Sequence, residues 1–558
     1  MWSRLRRDKR GIALITVLLI FVIMLILIGA LLNWMPVELN QSSYVGYDNR
    51  SLYAADAGVQ FAIEQISSDY NEGVEPTAAP TPGNTPFASF YLEPSPSPSA
   101  SPDVQVWIQA VGAGSGPAVY YVRSIGTFDN IPHRVDAVIQ QEPLNGNLLF
   151  GKDNGAGNYF VGGLMYFDGP VYLQGNSNPV NIEWYNNNPP TPVFAMGAQI
   201  AGSYTIWKAS SQATPPPTQW NEIDALGLGG NGLQLGGAVQ TYPVLTNSAS
   251  VANEAYSGNT TPTTFPSPGA NGVYMNGASA LSPSGPSCNG HTEVTSGIYV
   301  QGDADIAMSS TSSTQTFTLT PPSNDVSGQF SADTWTVQIN FTADTTTVTE
   351  TGSTTSATQT YCGTPSGDPS SQDSANGVLF VDGNVDSLSG TVHGDYTIAV
   401  PDDATSGSGA DNVILTGNIE MQNDPDPNNA TYCNCTSPDE LGIYANNVEV
   451  SQTIPGAAQF EAAIFAGNSA EQNPSLQSGS YEVKGNITGG AKGVLNVYGS
   501  VVQNYIEPLG IFNQASGKLV SGWQDTYNWD QRFLTQPPPG MPESSKYNII
   551  AWQDVGTP

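Results

Sequence analysis

Hydrophobic residues fall into three regimes along this chain. The first is a solid apolar block: from Ile12 to Leu32 no residue is charged, and only Thr16 and Gly29 interrupt the apolar side chains. At about 1.5 Å per residue, a helix of this length spans roughly 30 Å, the thickness of a hydrocarbon core. The second regime is helical alternation. Leu52, Ala55, Val59, Ala62, Ile63 and Ile66 recur at spacings of three and four, so they share one face of a helix. Glu38, Asn40, Gln41, Ser42 and Ser43 fill the join, where Pro36 reads as a kink rather than a stop. One long helix is expected over residues 12–73, with 12–34 as its transmembrane part.

The third regime is β alternation. Residues 74–103 are a Pro/Ser-rich tract and read as a linker. Val104–Val111, Ala118–Ile125 and Arg134–Gln140 then read as three strands joined by GAGSGP and FDNIP turns, an antiparallel meander within 104–143. From 144 to 506 a short phrase recurs, as in GLMYFDGPVYLQG at Gly163, GVYMNG at Gly272, GIYVQGDADIAM at Gly297, GVLFVDGNVDSLSG at Gly377 and GVLNVYGSVVQ at Gly493. Each copy is a glycine, a hydrophobic triplet, a turn and often a further strand. No such strand buries enough area alone. Stacked in parallel coils, however, these strands build a continuous core with glycine at the corners. A β-helix or irregular β-solenoid is expected, with a β-sandwich carrying Gly-rich turns as the alternative. Within it, 288–362 reads as an excursion, where Thr316–Thr320 and Thr334–Thr349 alternate like a small sheet with one wet face. Residues 507–558 end in an alternating run, Tyr547–Val555, expected to return and pair with the meander. The coils would then be an insertion rather than an appendage.

The flank of the apolar block sets its orientation. Arg4, Arg6, Arg7, Lys9 and Arg10 stand against Asp8 alone, so the N-terminus is expected in the cytoplasm and the rest outside. A removable signal peptide has a shorter apolar region and a small-x-small cleavage site, and neither is present. On hydropathy alone this is a single-pass signal anchor.

A basic leader, then Gly11, then an apolar helix that turns amphipathic resembles the class III signal of type IV pilins and pseudopilins. RGIALITVLLI and YAADAGVQFAIEQI resemble the N-terminal region of PilX-type minor pilins. The resemblance implies cleavage by prepilin peptidase after Gly11, with Ile12 as the first mature residue. It also implies a segment that anchors the subunit in the inner membrane and later packs among like helices in a fibre. Most major pilins carry Glu at the fifth mature residue, where this chain has Thr16. A membrane-embedded carboxylate needs a partner, typically a neighbour's free amine, and Thr cannot form that ion pair. This departure resembles tip-type and minor pilins. Large minor pilins with inserted β-solenoids occur among competence-type systems, and the element order here is similar; Gly377–Gln503 also resembles a domain common in large bacterial pilin-like proteins. The fold class expected is therefore an α+β pilin, a long N-terminal helix plus antiparallel sheet, carrying a mostly-β insertion.

Composition narrows the partners. The chain has 558 residues, 59 Gly and 42 Pro, with only 11% charged residues, which suits a secreted β-rich protein with many turns. The formal net charge is −33, and loss of the basic leader makes the remainder more acidic still. Such a field opposes general attraction to DNA. Mature cations are few and scattered, Lys484 and Lys492 being the candidate local patch.

Chemistry-bearing residues are sparse. Cys288, Cys362, Cys433 and Cys435 are candidate disulfide partners, with three connectivities open. Cys288–Cys362 would clip the base of the excursion. A local Cys433–Cys435 bridge would be strained, and a CxC metal site has no nearby His or second Cys pair to complete it. His133, His291 and His393 lie in different segments, and no H-E-x-x-H, G-x-S-x-G or P-loop spacing occurs. Asp382 and Asp386 could share a strand face as in β-helix lyases, but Asp at Gly turns usually forms the turn. Asp424, Asp426 and Asn428 have calcium-loop spacing, yet Cys435 stands where the bidentate Glu belongs. Trp184, Trp207, Trp220 and Trp335 offer stacking faces for a glycan, though lone aromatics usually belong to a core. No cofactor, metal or catalytic residue is assigned. The reading is a structural, non-enzymatic minor or tip pilin, acting in fibre assembly and surface interaction or adhesion. Its partners are other pilins, prepilin peptidase, the inner membrane and an extracellular surface or glycan. DNA capture on the same scaffold and a membrane-anchored β-helix enzyme acting on polysaccharide are the alternatives.

Overall fold

The computed structural model describes residues 2–71, 86–90, 103–111, 119–141, 147–153, 160–161, 166–184, 193–194, 198–208, 211–212, 233–237, 248–258, 264–322, 333–352, 356–365, 377–400, 411–423, 437, 439–467, 479–513, 518–534, 537–541 and 547–556. A helix, α1, runs over Trp2–Asn71. Its amphipathic end buries Ala55, Val59 and Ala62 completely, with Leu52 and Ile63 packed at the margin. These side chains meet Val104, Val106, Val122, Val135 and Ile139 of a five-stranded antiparallel sheet. Two glycines allow the close approach. A Cβ on Gly58 would strike Ser124 Oγ and Val104, and one on Gly126 would strike the Ser51 carbonyl oxygen and the Ala55 nitrogen. Ser51 Oγ donates across this contact to the Ile131 carbonyl, 2.7 Å away.

The sheet contains β1 (Ala88–Phe90), β2 (Val104–Ala110), β3 (Val119–Phe128), β4 (Ile131–Gln141) and the terminal strand Tyr547–Gly556, in that order. β1 is a piece of the Pro/Ser tract that pairs with β2, Ala88 opposite Val106. Asp129 and Asn130 turn β3 into β4 with φ of 49° and 62°, the left-handed pair that a two-residue hairpin needs. The terminal strand pairs antiparallel with β4, Tyr547 opposite Gln141 and Asp554 opposite Val135. Everything between residues 142 and 546 is therefore inserted between two neighbouring strands.

That intervening chain forms a 30-stranded mixed sheet. Its backbone is a parallel stack in which one aliphatic column passes from strand to strand: Ile298, Leu379, Ile398, Ile443, Ile464, Val501, Leu149, Val171, Ala198. None of these is more than 5% exposed. The stack does not follow chain order. Residues 298–503 run toward Val501, residues 149–208 run away from Leu149, and the two halves meet where Val501 pairs with Leu149. The adjacent column alternates to the other side of the strands, with Tyr299, Phe380, Tyr444, Phe465, Phe150 and Tyr172. It is covered by the short helix Ser248–Ser257 and by Phe533 and Met541. At one corner a ladder of Asp and Asn side-chain oxygens, each accepting from a backbone N–H of the next turn, joins successive turns. Asn384 N donates to Asp303 Oδ1 (2.6 Å), Asn412 N to Asn384 Oδ1 (3.1 Å), Asn447 N to Asn412 Oδ1 (3.2 Å) and Gly479 N to Asn447 Oδ1 (2.8 Å).

The excursion is an antiparallel meander of Ala304–Thr311, Thr314–Thr320, Thr334–Asn340, Thr345–Thr351 and Ser356–Cys362. Its apolar face, including Phe317, Trp335, Val337 and Val348, merges with the core of the stack. Cys288 and Cys362 are disulfide-bonded at its base, their Cα atoms 6.3 Å apart. Cys433 and Cys435 lie outside the described residues.

The expected class, an α+β pilin carrying a β insertion, is corrected: the chain is mostly β, built of large mixed sheets. The physical reason is where the cores lie. α1 shares one core with the five-stranded sheet, whereas the two other cores form almost wholly between strands. The chain leaves the stack through a buried ion pair in the 3-10 turn Gln531–Leu534. Arg532 Nη2 lies 2.6 Å from Asp530 Oδ2, and its Nη1 donates to the carbonyls of Ser437 and Asp439 at 2.9 Å each.

Two substitutions check this packing. Gly126→Ala, which forces a methyl into the α1 backbone, is expected to lower stability by about 1–3 kcal/mol, read as an earlier urea midpoint. Arg532→Met leaves Asp530 buried without its partner and is expected to cost about 3–5 kcal/mol, most of it recovered in the Asp530→Asn, Arg532→Met double variant.

Candidate functional site

The largest chemical anomaly on the described surface is an apolar rod. Val17 through Ile28, together with Leu31, are all exposed, from 45% at Val22 to 65% at Ile26. Consecutive helical residues point in every direction around the axis, so the rod is bare on all sides. Apolar transfer is worth roughly 25 cal/mol per Å², and isolated patches of this size mark interaction surfaces. Thr16 is exposed at the start of this stretch. Gly11 and Ile12 fall within α1, but their side chains lie outside the described ones. Among the described residues, no helix is long and apolar enough to cross a membrane. The expected span 12–34 includes side chains outside that set.

Where the amphipathic part of α1 meets the sheet, His133 of β4 is the hub. Its Nδ1 lies 3.0 Å from Asp48 Oδ1 on α1, and its Nε2 lies 2.6 Å from Asp554 Oδ1 on the terminal strand. With a carboxylate on each ring nitrogen, both nitrogens donate and the ring carries a proton on each. Burial pushes the pKa of the ring down, but the hydrogen bonds it donates to Asp554 and Asp48 outweigh this and the pKa ends raised. The His133 contact holds Asp554 below the usual carboxylate range. Tyr47 and Arg50 of the same helix turn pack on Phe128, at 5.6 Å between rings and 4.9 Å from the guanidinium carbon to the centroid. One imidazole thus ties α1 to both neighbouring strands of the sheet edge. The sequence placed His133 in an isolated NIPHR turn, and the residues that give it meaning lie 85 and 421 positions away.

The remaining sequence candidates are dispersed. Asp382 accepts hydrogen bonds from Tyr299 and Gln301, both at 2.8 Å, inside the aromatic column. His393 contacts Asp439 at 2.8 Å. Trp335 is buried core, Trp184 and Trp207 lie on strands without described side chains, and Trp220 lies outside the described residues, as do Asp424, Asp426 and Asn428. Among the described residues no group of three or more His, Cys, Asp or Glu could hold a metal ion. Of the candidate basic patch, Lys492 is held internally and Lys484 is half exposed. Lys492 Nζ donates to the carbonyls of Gln452 and Ile454 and sits 4.5 Å from the Trp523 ring centroid, while Lys484 lies 4.0 Å from Glu449. Arg123 and Arg134 both pair with Asp136.

No family model matches the chain, and no curated protein matches it. Among solved structures it is similar to the competence-associated pilin ComZ from Thermus thermophilus, at 14% identity, covering 91% of this chain and 97% of that one, with a TM-score of 0.25. Superposition at that level carries no argument about fold or function.

The clasp predicts a pH dependence. A raised His133 pKa contributes stability that is complete below its ordinary 6.5 and is lost as pH rises through the folded value. Buried Asp525 and Glu440, pushed up to about 8 and about 9, weaken the chain in the same direction. The readout is therefore a difference: the melting-temperature gap between the wild type and His133→Gln should be widest near about pH 6 and shrink as pH rises above the ordinary histidine range.

Proposed function

We propose that this chain is a structural minor subunit, at or near the tip, of a type IV pilus or a related pseudopilus. It acts in fibre assembly and in surface contact. The single observation that carries the reading is the exposed apolar rod from Val17 to Leu31, which nothing in the described chain covers. A surface of that kind needs lipid or like helices, and a subunit that moves from membrane to fibre meets both in turn. The basic leader ending at Gly11 supplies the cleavage signal, and Thr16 in place of the usual Glu favours a minor position over a shaft-forming one. On this reading the precursor sits in the inner membrane with its N-terminus in the cytoplasm. Prepilin peptidase then exposes Ile12, other pilins take up the helix, and the β-rich body is presented outside the cell.

DNA capture is not favoured, because Arg50, Arg123, Arg134, Arg532 and Lys492 are engaged within the protein on a chain of net charge −33. The test is co-expression with and without a prepilin peptidase. Intact-mass analysis is expected to show a new N-terminus at Ile12 only when the enzyme is present, and Gly11→Val is expected to abolish the cut. An unprocessed product in both strains returns the chain to a permanent signal anchor.

A further inference from the structure

The outward face of the excursion is a two-dimensional grid of uncharged side chains, most of them hydroxyls. Strand register places Ala307, Thr318, Thr336, Thr349 and Thr358 in one row across five strands. The next row holds Ser309, Thr316, Gln338, Thr347 and Thr360. A third runs from Thr311 through Thr314 and Asn340 to Thr345. None of these positions is charged. Glu350 pairs with Trp335 and so belongs to the opposite face, and Asp305 marks the edge opposite Thr320. Neighbouring hydroxyls already hold one another, Thr349 to Thr358 at 3.2 Å and Thr347 to Thr360 at 3.5 Å.

We propose that this grid is a docking face for a neutral, regularly repeating polysaccharide such as an insoluble β-glucan. The proposal rests on the surface-contact part of the reading above and not on fibre assembly. Charge selects the partner. A chain of net charge −33 repels polyanions, while cations have acidic surface elsewhere to occupy. This uncharged face therefore suits a neutral polymer, whose hydroxyls exchange partners with threonine without stripping any charge of water. Stiffness adds to this. β-Branched side chains have few χ1 states to lose on contact, so ordering costs little. The lattice is regular as well, with positions about 4.8 Å apart within a row and successive rows about 6.8 Å apart along the strands, so a regularly repeating chain polymer can meet it at many points at once.

The test is sedimentation of the full-length chain in detergent micelles with microcrystalline β-glucan, an alginate gel and double-stranded DNA as separate arms. The comparison is a row variant, Thr318→Val, Thr336→Val, Thr349→Val, Thr358→Val, which keeps β-branching and removes the hydroxyls. The expected result is retention on the glucan, insensitive to salt, falling about tenfold or more in the variant at an unchanged melting temperature. Single Thr→Val changes serve if the fourfold variant melts early. Equal retention of wild type and variant, no retention on the glucan, or retention only on the anionic arms overturns the proposal. So does loss of self-association in the variant without any glucan effect, which would assign the face to a second copy. An uncleaved leader would sink the fibre reading and leave this measurement intact.

Discussion

The aliphatic column that threads the parallel stack is the constraint from which most of the architecture follows. Ile464, Val501 and Leu149 sit in consecutive positions of that column, although Leu149 is more than three hundred residues earlier in the chain than its neighbours. A parallel stack can only add strands whose inward residues continue the column, and a register slip of one residue would turn each apolar side chain outward. The seam between Val501 and Leu149 therefore brings the entry and the exit of a long insertion to the same level. With both ends held there, the terminal strand can lie beside β4, and the His133 clasp can join residues 421 positions apart.

Two kinds of unsatisfied surface remain after that body has formed, and they differ in physics. The α1 rod is apolar on every side, so water disfavours it strongly and without direction. It needs a medium or a bundle rather than a specific pocket. The threonine grid is the reverse, a wet face whose hydroxyls are ordered by strand register. The meander beneath it buries Phe317, Trp335 and Val337 against the stack and is tied down by Cys288–Cys362. The grid is thus carried on a rigid support, which a surface contact requires if it is not to lose its binding energy to ordering.

Much of the fold was legible in local pattern. The spacing of Ala55, Val59, Ala62 and Ile66 marks the buried face of α1, and the alternation of TWTVQIN marks its strand and which of its residues go inward. What misled was weight: the helix and the meander after it are conspicuous in sequence, and they suggested an α+β class for a chain whose mass is mixed β-sheet. The site was far less legible. In the sequence His133 stood alone in its segment and Asp554 was one position of the Tyr547–Val555 run, because periodicity carries no information about which distant carboxylate will face a ring nitrogen. The glycines at 58 and 126 were equally silent, since close helix-on-sheet approach is a property of the pair and not of either segment.

By itself, the sequence determined the local elements, the faces they bury, the acidity of the chain, and the apolar character of the leading helix. These follow from short-range spacing and from composition, which are written directly in the order of residues. Only the tertiary structure decided that the stack runs out of chain order, that Arg532 and His133 each close a loop of the chain, and that threonines from five strands form one grid. Those depend on which strand edges meet, and strand pairing is set by the summed fit of many distant side chains rather than by any one stretch of chain.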